Sequence, residues 1–270
     1  MKKRLALALC LGLLSLLAAT VVYAGRLPGE AGLFAPGPAL PASAALVDDE
    51  LGDEVITAAS PPINAPGIYV FLDSNHVDPV AYPGVVVGGH NAFQWKRIET
   101  SFGFYDWSRV DNWIAQEAAL GKPVGLAINT YEGVSGGNVS PSWVPTIPCV
   151  DYYSNPHPIP NYWSSQYKNY FRNLILAFGA RYNNDPRVEW IEVSTGAYGE
   201  NQPAPDYFDD CLISAGYGDQ GAWEQFVRDT ISLYREAFPD KPIMTQHYPR
   251  FRSDSERVHV APHAAGLGVG

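Results

Sequence analysis

Short apolar runs alternate with amphipathic stretches from about residue 66 onward, and that alternation limits the fold more than any other feature of the sequence. Ile68–Leu72, Val85–Gly88, Pro123–Asn129 (PVGLAIN), Val188–Ser194 (VEWIEVS) and Pro242–Gln246 (PIMTQ) read as strands buried on both faces. Between them lie helical patterns. Asp106 or Ser108 caps the first, whose apolar positions include Val110, Trp113, Ile114 and Ala118, with Gly121 and Pro123 as its stop. Trp163–Tyr182 carries Tyr167, Tyr170, Phe171, Leu174, Ile175 and Phe178 at helical spacing, and Asp185-Pro186 breaks it. Trp223–Phe238 is a third amphipathic helix, and Ala265–Val269 is expected to open a sixth strand.

Strands alternating with helices imply βα units around a parallel sheet. The long loops follow strands, which is where (β/α)8 barrels build their active sites. No GxGxxG or P-loop follows a strand, so nucleotide-binding doubly wound folds lose weight. The expected class is therefore α/β, a (β/α)8 TIM-barrel type. Only five or six strands are visible. About 205 residues run from Pro66 to Gly270, against about 250 for a barrel of this kind, so the expectation is a barrel truncated after about strand 5 or 6.

Three further segments divide the chain. Lys2, Lys3 and Arg4 precede an apolar run from Leu5 to Val22, and Val22-Tyr23-Ala24 offers small residues for cleavage. Residues 1–24 read as a signal peptide, with an uncleaved anchor as the alternative, since the run barely reaches the ~20 residues of a spanning helix. Residues 25–65, rich in Pro and Ala, read as a linker, and 66–270 as the folded domain. The expected location is secreted or cell envelope, with no membrane contact beyond the signal segment. Once Cys10 leaves with the signal, Cys149 and Cys211 remain as an even pair in an oxidising compartment. A disulfide between them is the expected state, joining the loops after strands 3 and 4; two buried thiols are the alternative. No CxxC or Cys/His cluster occurs, so no structural zinc site is expected. A net charge of −10, with only 18 Lys and Arg, argues against nucleic acid as a partner.

Sugar chemistry has residues in three places: Phe93–Trp107, the loop Asn129–Trp143, and Ile191–Gln202 (IEVSTGAYGENQ). In the last, a strand runs into Gly196, Gly199 and Glu200. A carboxylate at a strand's C-terminal end, beside Tyr198, sits where a barrel places a general acid. Aromatic surroundings are expected to raise the pKa of Glu200 and keep it protonated. Trp95, Asn129, Trp143, Tyr198, Asn201 and His247 are the candidate sugar-binding residues. The blander readings are a loop carboxylate for Glu200, core packing for Trp95, Trp143, Trp163 and Trp190, and satisfied packing histidines for His90 and His247. Glu99 beside Lys96 and Arg97 reads as a structural ion pair. No GxSxG elbow supports serine hydrolysis.

Four segments in order, WKRIETSFGFYDWSRVDNWI, GKPVGLAI, SPSWV and YFRNLILAFGARYNNDPRVEWIEVSTGAYGE, resemble the N-terminal half of a clan A glycoside hydrolase. The resemblance is to glycoside hydrolase family 42, the β-galactosidase-like barrels, and covers about residues 84–201. It implies an oligosaccharide or polysaccharide substrate, Glu200 as acid/base, and no metal and no organic cofactor. It also implies retention of configuration through a nucleophile near the end of strand 7. One departure is that Gly199, not asparagine, precedes the glutamate; G-x-x-G-E also resembles the acid segment of β-amylases. If the second carboxylate instead lies within this chain, Glu99 or Glu132 is expected to supply it. The rival reading is a non-catalytic carbohydrate-binding or cell-surface protein on a barrel scaffold. Oligomeric state is not legible.

Overall fold

The computed structural model describes residues 61–246 and 259–270. The expected signal peptide, nearly all of the linker, and His247 lie outside the described residues. Five strands form one parallel sheet: β1 (Ile68–Phe71), β2 (Val86–Gln94), β3 (Val124–Asn129), β4 (Val188–Val193) and β5 (Ile243–Thr245). Their order across the sheet is their order in the chain. Such a singly wound sheet with same-handed crossovers keeps its helices on one face, unlike a doubly wound sheet, whose order reverses.

The crossovers carry α1 (Ser108–Ala119), α2 (Ser165–Tyr182) and α3 (Gln220–Ala237). Local chemistry sets their ends. The N-cap of α1 is neither Asp106 nor Ser108 but Trp107, which makes no side-chain cap bond, although Asp106 Oδ1 accepts from Ser108 N at 2.9 Å just before the helix. Ser164 does cap α2, its Oγ accepting from Tyr167 N at 3.0 Å. Gly121, at φ +70°, ends the turn after α1. Val110 and Ile114 of α1, Phe171, Leu174, Ile175 and Phe178 of α2, and Val227 and Ile231 of α3 belong to one buried core with Leu126, Ile128, Ile191 and Val193 of the strands. All six residues of β3 and of β4 are buried, as expected for central strands of a parallel sheet.

The opposite face is concave. Tyr69 and Trp190 touch edge to face at 5.5 Å, although β1 and β4 are three strand spacings apart, about 14 Å in a flat sheet. Glycines give these rings room. Gly88 lies opposite Tyr69 and Gly125 opposite Trp190 in the strand register. A Cβ on Gly88 would come within 2.3 Å of the tyrosine ring, and one on Gly125 within 2.2 Å of the indole.

Several elements differ from expectation. β2 does not stop at Gly88 but runs on to Gln94, because its glycines make room for Tyr69 on one face and Glu117 on the other. The Pro-rich stretch after β3 contains a hairpin, Thr146–Val150 with Pro156–Pro160. Ala265 lies in a helix, Ala261–Gly266, and the pairing expected of a sixth strand is confined to Val269 and Gly270. There Val269 bridges Ile243 in parallel, and Thr245 N donates to Gly270 O at 2.8 Å. Cys149 and Cys211 are disulfide-bonded, tying this hairpin to the helix Asp209–Ser214 that follows β4. No helix among the described residues is long and apolar enough to cross a membrane.

Candidate active site

A cavity of about 140 Å³ lies on the concave face toward the C-terminal ends of the strands. Tyr69, Phe71, His90 and Trp190 wall it, and Met244, Thr245 and Gln246 close the side under β5. Two carboxylates line it, Glu192 and Glu200, with Tyr198 beside the second.

Glu192 follows from strand geometry. Residues 188, 190 and 192 of β4 share a face, so the alternation that points Trp190 into the concavity points Glu192 there as well. Its Oε2 lies 2.9 Å from His90 Nε2, with both side chains at least nine-tenths buried. Its Oε1 accepts from Gln246 Nε2. His90 is itself fixed between rings, 4.6 Å from Trp190 and 5.0 Å from Phe71.

Glu200 arrives by a different route. After β4 the chain folds back on itself: Glu200 N donates to Ala197 O at 3.0 Å, and Ala197 N to Gln202 O at 2.8 Å. Gly199 sits at φ +85°, which only glycine adopts without strain. The fold places it hard against the strand end, where a Cβ would lie 3.1 Å from Glu192 Oε1, 3.4 Å from Ser194 Oγ and 3.7 Å from Asn129 Oδ1. Glu200 is half-buried, and Gln202 Nε2 donates to its Oε2.

Tyr198 carries φ +59°, and its amide donates to Tyr131 O at 2.8 Å. Its phenol lies over Gly133, where a Cβ would collide with the hydroxyl. Partial burial raises the Tyr198 pKa, and the charges of Glu200 and Glu132 raise it further. The phenol therefore stays a neutral hydrogen-bonding group on the cavity rim.

The candidate residues do not all gather here. Glu200 and Tyr198 line the cavity, and Asn129 lies just behind Gly199 with its Oδ1 buried and unpartnered among the described residues. Trp95 does not line it. It is fully buried against Tyr167 and Phe171, and its Nε1 donates to Glu99 at 2.6 Å. Trp143 faces a separate groove with Lys96, Arg97 and Pro141, because the hairpin entry turns it onto Phe102. Asn201 is buried and braces the loop: its Oδ1 accepts from Thr195 Oγ1 at 2.8 Å and its carbonyl from Trp223 Nε1. Glu99 is structural but not as an ion pair, since it accepts from Trp95 Nε1 and Gly103 N. Glu132 accepts from Gln94 Nε2 at 2.9 Å. Glu192 and His90 are the pair that sequence reasoning missed as site residues. The signal was their parity, since a charged residue two positions from Trp190 in a buried strand must face the same way.

No family model matches the sequence, and no curated protein matches it. Among solved structures, the chain is similar to endo-glycoceramidase II from Rhodococcus sp., at 18% identity and a TM-score of 0.40, over 59% of this chain and 40% of that one. It is similar to an exo-β-1,4-mannosidase from Opitutaceae bacterium strain TAV5, at 16% identity and a TM-score of 0.45, over 63% and 27%. A β-galactosidase from the psychrophilic Marinomonas ef1 matches at 13% identity and a TM-score of 0.40, over 60% and 33%. The chain thus spans about 40% of the length of the glycoceramidase structures.

Proposed function

We propose that this protein is a secreted glycoside hydrolase on a (β/α)8-type scaffold, with Glu200 as its general acid. One observation carries the reading: two carboxylates, Glu200 and Glu192, line one aromatic-walled cavity at the C-terminal ends of sequentially ordered parallel strands. Hydrolysis of a glycosidic bond needs two such groups, one to protonate the leaving oxygen and one to act on the far side of the anomeric carbon. Apolar ring faces such as Tyr69 and Trp190 suit the C–H faces of a sugar. The apolar N-terminal segment and the Cys149–Cys211 bridge support an extracytoplasmic location.

The resemblance to family 42 makes β-galactosides the first substrates to try. The natural protein is assayed on aryl glycosides with leaving groups of graded acidity, alongside binding of unmodified oligosaccharides. Glu200→Gln is expected to cut turnover of poor leaving groups by ~10²–10⁴-fold, because the proton donor is gone. Good leaving groups, which need little protonation, suffer less. Wild-type rates for the variant on poor leaving groups refute the role of Glu200. Oligosaccharide binding with no hydrolysis of any glycoside would mark a carbohydrate-binding protein instead.

A further inference from the structure

Resting on the hydrolase reading, we infer that the groove of Lys96, Arg97 and Trp143 is a substrate subsite for an acidic sugar, carboxylated or sulfated. The neutral unit of the same glycan then occupies the cavity. The groove encloses about 390 Å³, and Glu99, Thr100 and Ser142 complete the lining that matters here.

Charge points to an anion. Acids outnumber bases 28 to 18 in this chain, and Arg172, Arg181 and Arg187 each pair with a carboxylate. Lys96 and Arg97 are both exposed, yet neither pairs with a carboxylate among the described residues. Lys96 Nζ donates to Asn138 O at 3.2 Å, which leaves two of its three protons for a ligand. The carboxylate in the lining, Glu99, is buried and already accepts from Trp95 Nε1 at 2.6 Å and Gly103 N at 2.8 Å. Two adjacent cations therefore stand open in one concavity. A guanidinium grips an oxyanion through paired hydrogen bonds, and an ammonium adds a point charge.

The rest of the lining points to a sugar. Trp143 is half-buried, and Phe102, edge to face with it at 6.3 Å, is 62% exposed. Ring surface of this kind has no use for a bare inorganic anion and suits the C–H face of a ring that carries one. The exposed Thr100 and Ser142 supply hydroxyls that both donate and accept.

Position ties the groove to the cavity. Lys96 and Arg97 follow the end of β2 and Trp143 follows β3, so the groove opens at the same end of the sheet. The loop 130–139 runs between the two. Tyr198 N, on the cavity rim, donates to Tyr131 O at 2.8 Å, and Lys96 N donates to Val139 O at 2.8 Å. β2 and β4 are two strand spacings apart, about 10 Å, a span that a short oligosaccharide covers. Glu192 and Glu200 make the cavity itself unfavourable to an anion, so the charged unit belongs in the groove.

The test titrates the natural protein carrying Glu200→Gln, by calorimetry, with three galacto-oligosaccharides of equal length. One is neutral, one carries a galacturonate and one a sulfate ester. A charged probe is expected to bind about tenfold tighter than the neutral one, since two exposed charge contacts are each worth a factor of a few. Whichever charged probe gains more identifies the anion. Lys96→Gln with Arg97→Gln is expected to abolish the preference and leave turnover of neutral aryl glycosides, measured with Glu200 intact, unchanged. Arg172→Gln, which removes a cation elsewhere on the surface, is expected to keep it. Equal affinity for all three probes overturns the inference. So does an equal loss in Arg172→Gln, which would mark diffuse attraction. The hydrolase reading fails separately: with no glycoside hydrolysed but the preference and its loss intact, the groove stands as an acidic-sugar site on a carbohydrate-binding protein.

Discussion

Lys122 is a fully buried ammonium that the cavity does not use. Its Nζ lies 2.5 Å from both Asp73 Oδ2 and Glu117 Oε2, and Glu117 in turn lies 2.5 Å from His76 Nδ1. The cluster pins three places together: the loop after β1, the last turn of α1, and the entry to β3. The same carboxylate explains Gly89, since a Cβ there would meet Glu117 Oε2. Removing one member of a buried ionic set strands the others in low dielectric. Lys122→Met is therefore expected to cost about 3–5 kcal/mol of unfolding free energy, read as a lower urea midpoint at unchanged slope. A change below about 1 kcal/mol, the scale of an exposed pair, would mean that water reaches the cluster. Gly125→Ala makes a different demand, because its Cβ would lie 2.2 Å from the Trp190 indole in the tightly packed concave face. Overpacking of this sort costs about 1–3 kcal/mol, and the displaced indole is expected to shift the tryptophan emission of the native state.

At the scale of elements, the hairpin Thr146–Val150/Pro156–Pro160 has little to hold it except its disulfide and one packed face. Ile147, Cys149, Ile159 and Pro160 are its buried residues, and its turn is organised by Asp151, which accepts from Tyr153 N, Asn155 N and Asn155 Nδ2. Tyr152 and Tyr153 stand almost fully exposed at the tip. Cys149 and Cys211 are 62 residues apart, and the chain-entropy model gives roughly 4 kcal/mol for closing such a loop. Cys149→Ser with Cys211→Ser is expected to lower stability by about 2–4 kcal/mol. It is also expected to open cleavage sites at Tyr152 and Tyr153 in limited proteolysis, while the sheet stays protected. An unchanged midpoint and cleavage pattern would mean that packing alone holds the hairpin. The five strands were legible in the sequence, because β3 and β4 are short apolar runs bounded by Gly or Pro and helical periods fill the gaps between them. The hairpin was not: the stretch with Pro145 and Pro148 reads as a long loop, yet proline is tolerated in a two-stranded edge ribbon. That Glu200 lies at the cavity was legible from its place after a strand. Trp95 misled because an aromatic next to a strand end has two possible destinations, and here the turn Trp95–Ile98 swings it under α2.

The molecule as a whole carries an unusual load of buried phenols, and these set how its stability responds to alkali. Desolvation raises the pKa of Tyr69, Tyr131, Tyr162, Tyr167, Tyr182 and Tyr234 well above the usual 10, and pushes that of Tyr105 up to about 12. A group whose folded pKa lies above its unfolded value stabilises fully below the unfolded pKa. That contribution disappears as pH rises past it, here past about 10, because the unfolded chain sheds protons that the folded one keeps. Each phenol still protonated in the fold then steepens the loss by about 1.4 kcal/mol per pH unit, so several together should unfold the domain cooperatively within about a unit or two above pH 10. At the acid end the sign reverses. The Arg187 side chain, by hydrogen bond and charge, holds Asp185 below the ordinary carboxylate range, so its contribution is present at neutral pH and is lost as pH falls below about 4. That pair is one partly exposed contact, whereas the phenols are many and buried, so the alkaline edge of the stability profile should be much the steeper. Thermal midpoints measured across pH, together with tyrosinate absorbance, check this: absorbance and unfolding are expected to rise together. Tyrosinate appearing gradually from pH 10 with the fold intact would show that solvent reaches these rings, and that the packing of α2 and α3 on the sheet is looser than the burial of Tyr162, Tyr167 and Tyr234 requires.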